Sequence, residues 1–193
     1  MISATQIAEH NLATRAAARD SCRIFEQEMD SLYLLSFLLT ADKRKAEECF
    51  VGGLEDSAGN PRVFRQWAHS WARRMVIQNA IQMVRPQAGK SRMTARGVDH
   101  GIAAVPEIAA IVELPAFERL VFVMSVLERY SDQYCALLLK CTRDEVIAAR
   151  VRALQQLGNS AEERLSLATE PGGSEIAGLA MELDSVRHLA TPA

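Results

Sequence analysis

Hydrophobic residues recur along this chain at steps of three and four, and alternating β-branched runs are nearly absent. This spacing is typical of amphipathic helices. It predicts helices over Cys22–Thr40, Lys43–Glu55 and Pro61–Val84, with a turn at Ser57–Pro61 and a stop at Pro86. We therefore expect an all-α fold.

A second group of helices is predicted further along the chain. It comprises a short helix within residues 102–113, followed by helices over Ala116–Arg129, Asp132–Leu139 and Arg143–Leu157. In the helix that begins at Ala116, the spacing predicts that five apolar side chains face inward: Leu120, Phe122, Val123, Val126 and Leu127.

The polar segment 87–101 has no hydrophobic period and separates the two groups of helices. We therefore predict two small helical domains, residues 21–85 and 114–157, joined by a flexible linker at 86–113. Residues 158–193 are expected to be a tail. Four apolar residues in it keep helical spacing: Ile176, Leu179, Leu183 and Val186. They predict either a marginal helix or a helix that docks on a partner or on the rest of this protein.

The composition is that of an ordinary globular protein, with 49% hydrophobic and 24% charged residues. Cys22, Cys49, Cys135 and Cys141 form no CxxC pair and have no zinc-site spacing. We expect buried, reduced thiols, which fit a reducing cytoplasm. The sequence shows no secretory signal and no apolar run long enough for a membrane span, so a cytoplasmic protein without a membrane partner is expected.

Basic charge is concentrated in one part of the chain, although the formal net charge is −2. Residues 57–98 contain no Asp or Glu, and cations without neighbouring acids attract polyanions. Trp67 and Trp71 lie among the basic residues, where they either form an ordinary core stripe, the favoured interpretation, or stack on unpaired bases. The basic side chains face nucleic acid, solvent or an acidic partner: Arg62, Arg65, Arg73, Arg74, Arg85, Lys90, Arg92 and Arg96.

The helices predicted at Asp132–Leu139 and Arg143–Leu157 are joined by a short turn, which is the helix-turn-helix pattern. Ser131 and Thr142 are suitable N-caps for them. In this motif the N-terminal residues of the second helix enter the major groove. One interpretation is that side chains at the start of that helix contact bases or phosphates. The other is that they are solvated, with the acidic ones stabilising the helix N-terminus through the helix dipole. The residues concerned are Thr142, Arg143, Asp144, Ile147, Arg150 and Arg152.

Nothing in the sequence indicates an enzyme. The four histidines are scattered, and no glycine-rich phosphate loop or nucleophile motif occurs. We expect no catalytic residue, no metal, no cofactor and no small-molecule substrate.

Two parts of the chain resemble the sigma-70 family of RNA polymerase sigma factors, particularly the extracytoplasmic-function group. Region four of that family is similar to residues 114–157, which read LPAFERLVFVMSVLERYSDQYCALLLKCTRDEVIAARVRALQQL. Region two is similar to residues 32–50, LYLLSFLLTADKRKAEECF, and 63–81, VFRQWAHSWARRMVIQNAI. Region four is matched in register by Leu114, Pro115, Val121, Phe122, Leu127, Glu128, Ser131, Thr142, Val146, Arg152, Ala153 and Leu157.

The resemblance implies a bacterial alternative sigma factor that gives RNA polymerase its promoter recognition. Region two would bind the β′ clamp of core polymerase and open the minus-ten element, and region four would read the minus-thirty-five element and touch the β flap. An anti-sigma or other regulatory protein is a further expected partner. For region two, the resemblance implies polymerase contacts from Ala46, Glu47 and Phe50, and DNA contacts from Arg65, Trp67, Trp71, Arg73, Arg74, Gln78 and Asn79.

The chain departs from the family pattern in the predicted DNA-reading helix. Ile147, Ala148 and Ala149 stand where the family usually has Lys, Ser and Arg. The alternative is therefore a sigma-like regulatory protein that binds a protein partner through these three residues and the tail, without binding DNA.

Overall fold

Every regular element of the described residues is a helix, which confirms the all-α prediction. The structure is a computed structural model and describes residues 19, 21–58, 67–88 and 105–169, with side chains as far as 166. No helix in these ranges combines the length and apolarity needed to cross a bilayer. The helices are α1 (residues 21–27), α2 (Met29–Thr40), α3 (Lys43–Ala58), α4 (Ala68–Val84), α5 (Pro106–Glu113), α6 (Ala116–Phe122), α7 (Asp132–Leu139) and α8 (Arg143–Thr169).

Helix boundaries differ from prediction at several C-terminal ends and at Glu28, where a non-helical residue divides the helix predicted over Cys22–Thr40 into α1 and α2. Helix α3 continues to Ala58, so Ser57 belongs to the helix and not to the predicted turn. The remaining turn residues, 59–61, and the predicted helix start at Pro61 lie outside the described residues. The predicted end of α8 at Leu157 is wrong, since the helix continues to Thr169. Glycine weakens a helix without ending it, so Gly158 is accommodated within α8.

Helices α2, α3 and α4 pack around a shared core. Leu32 and Leu39 of α2 and Ile77 of α4 are fully buried in it. The chain turns from α2 into α3 at Ala41, which has a φ of 54° and donates its N–H to the carbonyl oxygen of Phe37 at 2.8 Å. This left-handed residue ends α2 and lets α3 fold back against it.

Helices α3 and α4 approach each other closely at Gly53. A Cβ atom added there would lie 2.9 Å from Val76 Cγ2 and 3.2 Å from the Val76 backbone nitrogen. One turn earlier, the Cys49 thiol donates a hydrogen bond of 3.2 Å to the Val76 carbonyl oxygen. The glycine that weakens α3 as an isolated helix is therefore the residue that lets the two backbones meet.

Arg119 connects both predicted domains through the core. Its side chain is 2% exposed and donates to the carbonyl oxygens of Leu39 and Thr40, each at 3.4 Å. It also donates to the carbonyl oxygens of Val112, at 3.2 Å, and Leu114, at 2.9 Å. The guanidinium thus satisfies carbonyls at the C-terminal ends of α2 and α5, which have no partner within their own helices. Burial lowers the pKa of Arg119 to about 10, so the group is still charged at neutral pH.

The chain divides into one compact unit that ends at Leu157 and a second that begins at Gly158. Residues 21–85 and 114–157 both lie within the first unit, and their organisation as two domains joined by a flexible linker stays a prediction. Most of that predicted linker, residues 89–104, lies outside the described residues.

A π-helical turn, Val123–Leu127, follows α6 directly. The Glu128 backbone N–H reaches back five residues to the Val123 carbonyl oxygen at 2.9 Å. Val126 and Leu127 are exposed, so the prediction that they face inward is wrong. The prediction assumed α-helical spacing, whereas a wider turn holds an additional residue and shifts later side chains around the axis.

The four thiols are expected to react with Ellman's reagent in three classes. Cys22 is exposed, which corrects the prediction of burial for this residue, whereas Cys49 and Cys135 are buried and Cys141 is half-buried. Burial raises the pKa of Cys49 and of Cys135 to about 11, and it also raises the pKa of Cys141. Because the thiolate is the reactive form, we expect one fast thiol, one slow thiol and two that react only after unfolding. Loss of the fast phase in Cys22→Ser identifies it, and rapid reaction of all four native thiols would contradict the structure.

Candidate nucleic-acid interface

Helices α7 and α8, the pair predicted to form a helix-turn-helix, are separated by three residues between Leu139 and Arg143. Ser131 caps α7, as predicted, by accepting the backbone N–H of Tyr134 at 3.2 Å. Lys140 ends α7 with a left-handed φ of 54° and donates its N–H to the carbonyl oxygen of Ala136. This residue turns the chain sharply enough for α8 to begin three residues later.

Thr142 and Glu145 form a capping box at the start of α8. The Thr142 hydroxyl accepts the Glu145 backbone N–H at 3.2 Å, and the Glu145 carboxylate accepts the Thr142 backbone N–H at 2.7 Å. The carboxylate also accepts the Thr142 hydroxyl hydrogen at 2.9 Å. These bonds lower the pKa of Glu145 and confirm Thr142 as the N-cap. The hydroxyl predicted to contact DNA is therefore already used to begin the helix.

Helix α8 has a buried face and an exposed face along its first three turns. The buried face consists of Val146, Ala149 and Ala153, which lie at helical spacing as predicted. The exposed face is made by Arg143, Asp144 and Ala148, with Ile147 half-buried beside them. Ala149 therefore cannot contact a partner, which corrects its assignment to the apolar reading face.

The other two arginines predicted to contact DNA from α8 are paired within the chain. Arg150 forms an ion pair with Asp132 of α7, with one nitrogen-to-oxygen distance of 3.3 Å. Arg152 donates from Nε to the carboxylate of Glu118 on α6 at 3.0 Å. Both arginines hold α8 against the preceding helices. A phosphate contact from either would have to share or replace its carboxylate partner.

Arg73 of α4 is also paired with a carboxylate from the second group of helices. Its Nε donates to Glu128 at 2.8 Å, and another nitrogen donates to the Ser31 hydroxyl at 2.9 Å. The hydrogen bond with Glu128 raises the pKa of Arg73. Sequence analysis did not identify Glu128, Glu118 or Asp132 as partners. They lie 55, 34 and 18 residues from their arginines, beyond the reach of helical spacing.

Arg74, the next residue of α4, lies between two aromatic rings. Its guanidinium carbon is 5.8 Å from the ring centre of Trp71 and 5.4 Å from that of Tyr134 on α7. Such stacking stabilises a cation by attraction to the ring faces. The Nε atom of Arg74, the indole nitrogen of Trp71 and the hydroxyl of Tyr134 are buried without a hydrogen-bond partner among the described residues. Arg74 thus joins α4 to α7 rather than presenting its charge on the surface.

The remaining predicted DNA residues of α4 differ in exposure. Trp67 is 64% exposed, so its assignment to the core is wrong, whereas Trp71 is half-buried. Trp67 is the residue immediately before α4, so it does not belong to the face that this helix packs against its neighbours. Gln78 is half-buried, and Asn79 donates to Asp56 at 2.8 Å. Arg65 lies outside the described residues.

The three predicted polymerase contacts on α3 also differ in exposure. Ala46 is fully buried and can only support a contact surface from inside. Glu47 is exposed. Phe50 is half-buried, with ring centres 5.3 Å from Phe25 and 6.4 Å from Tyr33. Glu47 is therefore the exposed member of this set.

An open groove of about 700 Å³ lies between the C-terminal end of α4 and α7. Leu137, which is 71% exposed, lines it together with Gln78, Ile81, Arg85 and Lys140. Its lining combines apolar side chains with two basic ones, Arg85 and Lys140. Periodicity did not predict it, because its two sides come from distant parts of the chain.

Lys140→Gly is expected to raise the free energy of unfolding by about 1 kcal/mol. Lys140 is exposed and adopts φ 54°, a conformation that glycine occupies without steric cost. Urea unfolding of the variant and the wild type measures the difference. As a control, Glu47→Gly, at an exposed position inside α3, is expected to destabilise the protein, and stabilisation by both changes would contradict the role of backbone geometry.

Within the described ranges, no three His, Cys, Asp or Glu side chains lie together in a way that could hold a metal ion. No protein-family model matches the chain, and a search of curated proteins finds no match. Function is therefore inferred from the geometry of these helices and from the sequence resemblance.

Proposed function

We propose that this protein is a sigma-type transcription factor that binds promoter DNA through the helix-turn-helix of α7 and α8 and acts with core RNA polymerase. The proposal depends mainly on the first turn of α8, which is exposed and begins at a capping box, while the opposite face of the helix is buried. The N–H groups of a first helical turn that the cap does not satisfy, together with the positive end of the helix dipole, favour phosphate. Arg143 adds an exposed guanidinium at the same end.

A second DNA-facing surface on α4 supports the same function. Trp67 is exposed at the start of that helix, and an exposed indole provides a stacking surface for an unpaired base. In this proposal Arg73 and Arg74 hold the helices together, and Arg143 and Trp67 contact the nucleic acid.

DNA binding is tested with the full chain and fluorescently labelled duplexes selected by the protein from a random pool. Arg143→Ala is expected to weaken binding about tenfold, the effect of one direct guanidinium contact. The matched control is Arg44→Ala, which removes an exposed arginine from α3. It is expected to change affinity less than about twofold.

Polymerase association is tested separately by co-purification with core RNA polymerase and by run-off transcription from the selected duplexes. The proposal predicts a complex and specific transcripts. Absence of both the complex and DNA retention would contradict it. Equal losses in Arg143→Ala and Arg44→Ala would show non-specific charge attraction and would contradict reading by α8.

Protein binding without DNA binding is the second candidate, and exposed apolar residues favour it. Val151 and Leu154 of α8 and Leu137 of α7 are large apolar side chains on the surface. Such residues are found in protein-binding surfaces when they cluster. This candidate predicts that Leu137→Ser or Val151→Ser abolishes co-purification with a partner, while Arg143→Ala has no effect.

A further inference from the structure

The ion pair between Arg150 of α8 and Asp132 of α7 lies at the protein surface. Two guanidinium nitrogens of Arg150 donate to the two oxygens of the Asp132 carboxylate, and the longer of these distances is 3.3 Å. The side chain of Arg150 is 29% exposed and that of Asp132 is 17% exposed. Both charged groups are therefore within reach of a ligand that approaches α8 from solvent.

Arg150 lies on the same side of α8 as Arg143, whose exposed guanidinium is proposed above to contact DNA. The two arginines are seven residues apart, which is two helical turns, and Ile147 lies between them at steps of four and three. Arg152 is nine residues from Arg143, which is two and a half turns, so it lies on the opposite side. A duplex held by Arg143 therefore passes close to Arg150 and not to Arg152.

Asp132 is held beside Arg150 by the start of α7. It is the first residue of that helix and follows the cap Ser131, whose hydroxyl accepts the backbone N–H of Tyr134 at 3.2 Å. A carboxylate in the first turn of a helix is also stabilised by the positive end of the helix dipole. The acid that occupies Arg150 thus has a fixed position that does not depend on a ligand.

A carboxylate and a phosphodiester make the same demand on a guanidinium. Each offers two oxygen atoms carrying negative charge, and each accepts two parallel N–H bonds from the planar fork of an arginine. The N–H groups that Arg150 donates to Asp132 cannot be donated to a phosphate at the same time. The carboxylate and a DNA phosphate therefore exclude each other from this fork.

We propose that Asp132 competes with the DNA backbone for Arg150 and thereby limits the affinity of α8 for a duplex. This inference rests on the proposed DNA binding by α8 and identifies a residue that opposes it. When a phosphate reaches Arg150, it takes over the guanidinium, and the Asp132 carboxylate becomes solvated. One charge-assisted pair replaces another, so Arg150 adds little to the affinity of the wild type.

The test is the affinity of the full chain for the selected duplexes, measured by fluorescence anisotropy. Asp132→Asn keeps the size of the side chain but removes its charge, and it is expected to strengthen binding about fivefold, the upper range for a partly exposed ion pair. Asp132→Ser also lacks the charge and suits the first turn of a helix, so it is expected to give the same gain. Asp132→Glu restores a carboxylate and is expected to bind within about twofold of the wild type.

The salt dependence of binding is a second measurement, which a purely structural role of Asp132 would not change. In the wild type the charge of Arg150 is already neutralised by the carboxylate. Asp132→Asn frees that charge for a phosphate, so the slope of log affinity against log salt concentration is expected to steepen by about 0.9, the value for one additional phosphate contact. Circular dichroism of each variant verifies that the helices are intact.

Two controls separate the release of Arg150 from a general loss of negative charge. Glu118→Gln removes the carboxylate that pairs with Arg152 on the opposite side of α8, and it is expected to leave affinity within about twofold of the wild type. In an Arg150→Ala background, Asp132→Asn is expected to give less than about a twofold gain, because no guanidinium is released.

Three results would overturn the proposal. A gain that persists in the Arg150→Ala background, or an equal gain in Glu118→Gln, would show general charge repulsion. Equal affinity and equal salt slope in Asp132→Asn and the wild type, with both bound to the duplex, would overturn it while leaving DNA binding by α8 intact. Failure of both proteins to bind any duplex would contradict the proposed function, and this inference with it.

Discussion

Arg119→Met is expected to lower the free energy of unfolding by about 4 kcal/mol, the largest effect of any single change considered for this protein. Methionine fills a similar volume but has no hydrogen to donate. The carbonyl oxygens of Leu39, Thr40, Val112 and Leu114 would then lose a donor inside the core, where water does not reach them. The cost arises from these unsatisfied acceptors rather than from an ion pair.

Urea unfolding followed by circular dichroism measures this change. Arg119→Lys keeps a positive charge but lacks the planar fork that reaches two helix ends, so we expect an intermediate loss of about 2 kcal/mol. Arg44→Met replaces an exposed arginine and is expected to stay within about 0.5 kcal/mol of the wild type. A loss from Arg119→Met as small as that of Arg44→Met would mean that the four carbonyls find other donors.

Gly53→Leu is expected to cost about 3 kcal/mol, because the new side chain has no space between α3 and α4. The obstacle is the backbone of Val76, which cannot rotate away as a side chain can. Insertion therefore forces the two helices apart and weakens the Cys49 hydrogen bond to the same residue. Leucine has a higher intrinsic helix propensity than glycine, so the isolated α3 would become more stable while the protein becomes less stable.

The matched control for Gly53→Leu is Val51→Leu, which adds bulk to the exposed side of the same helix. It is expected to change the free energy of unfolding by less than about 0.5 kcal/mol. Thermal unfolding of both variants, with Cys49 reactivity as a local probe, measures the effect. Comparable stability of the two variants, with Cys49 still protected, would show that α3 and α4 are not in backbone contact at Gly53.

Periodicity predicted the helical class and most elements because the buried faces of these helices are continuous stripes. The caps at Ser131 and Thr142 were predictable for the same local reason: a cap and its partner lie three residues apart. The errors occur where local spacing carries no information. The continuation of α8 past Gly158 overrides a weak helix breaker, and the exposure of Val126 and Leu127 follows from a change of helix type that apolar residues alone do not indicate.

The sequence predicted which helices form the candidate interface, but not which of its arginines are paired with carboxylates. The position of Arg143 at the start of α8 follows from the capping signal. Arg73, Arg150 and Arg152 pair with carboxylates of other helices. These pairs depend on tertiary packing, which the spacing of residues in one sequence does not reveal. Counting basic residues therefore overestimates the charge available to a polyanion. The role of Arg119 was missed for the same reason, since its acceptors are backbone atoms.

The π-helical turn at Val123–Leu127 makes the length of this segment as important as its composition. Each residue of an α-helix advances the chain by about 100° around the axis, so one additional residue in a turn redirects everything after it by about that angle. Glu128 follows this turn directly and, in the direction the turn gives it, meets Arg73. In related chains, loss of one residue here is therefore expected to accompany loss of the arginine, the glutamate or both. An alignment gap at this position would then mark a change in how the two groups of helices are joined.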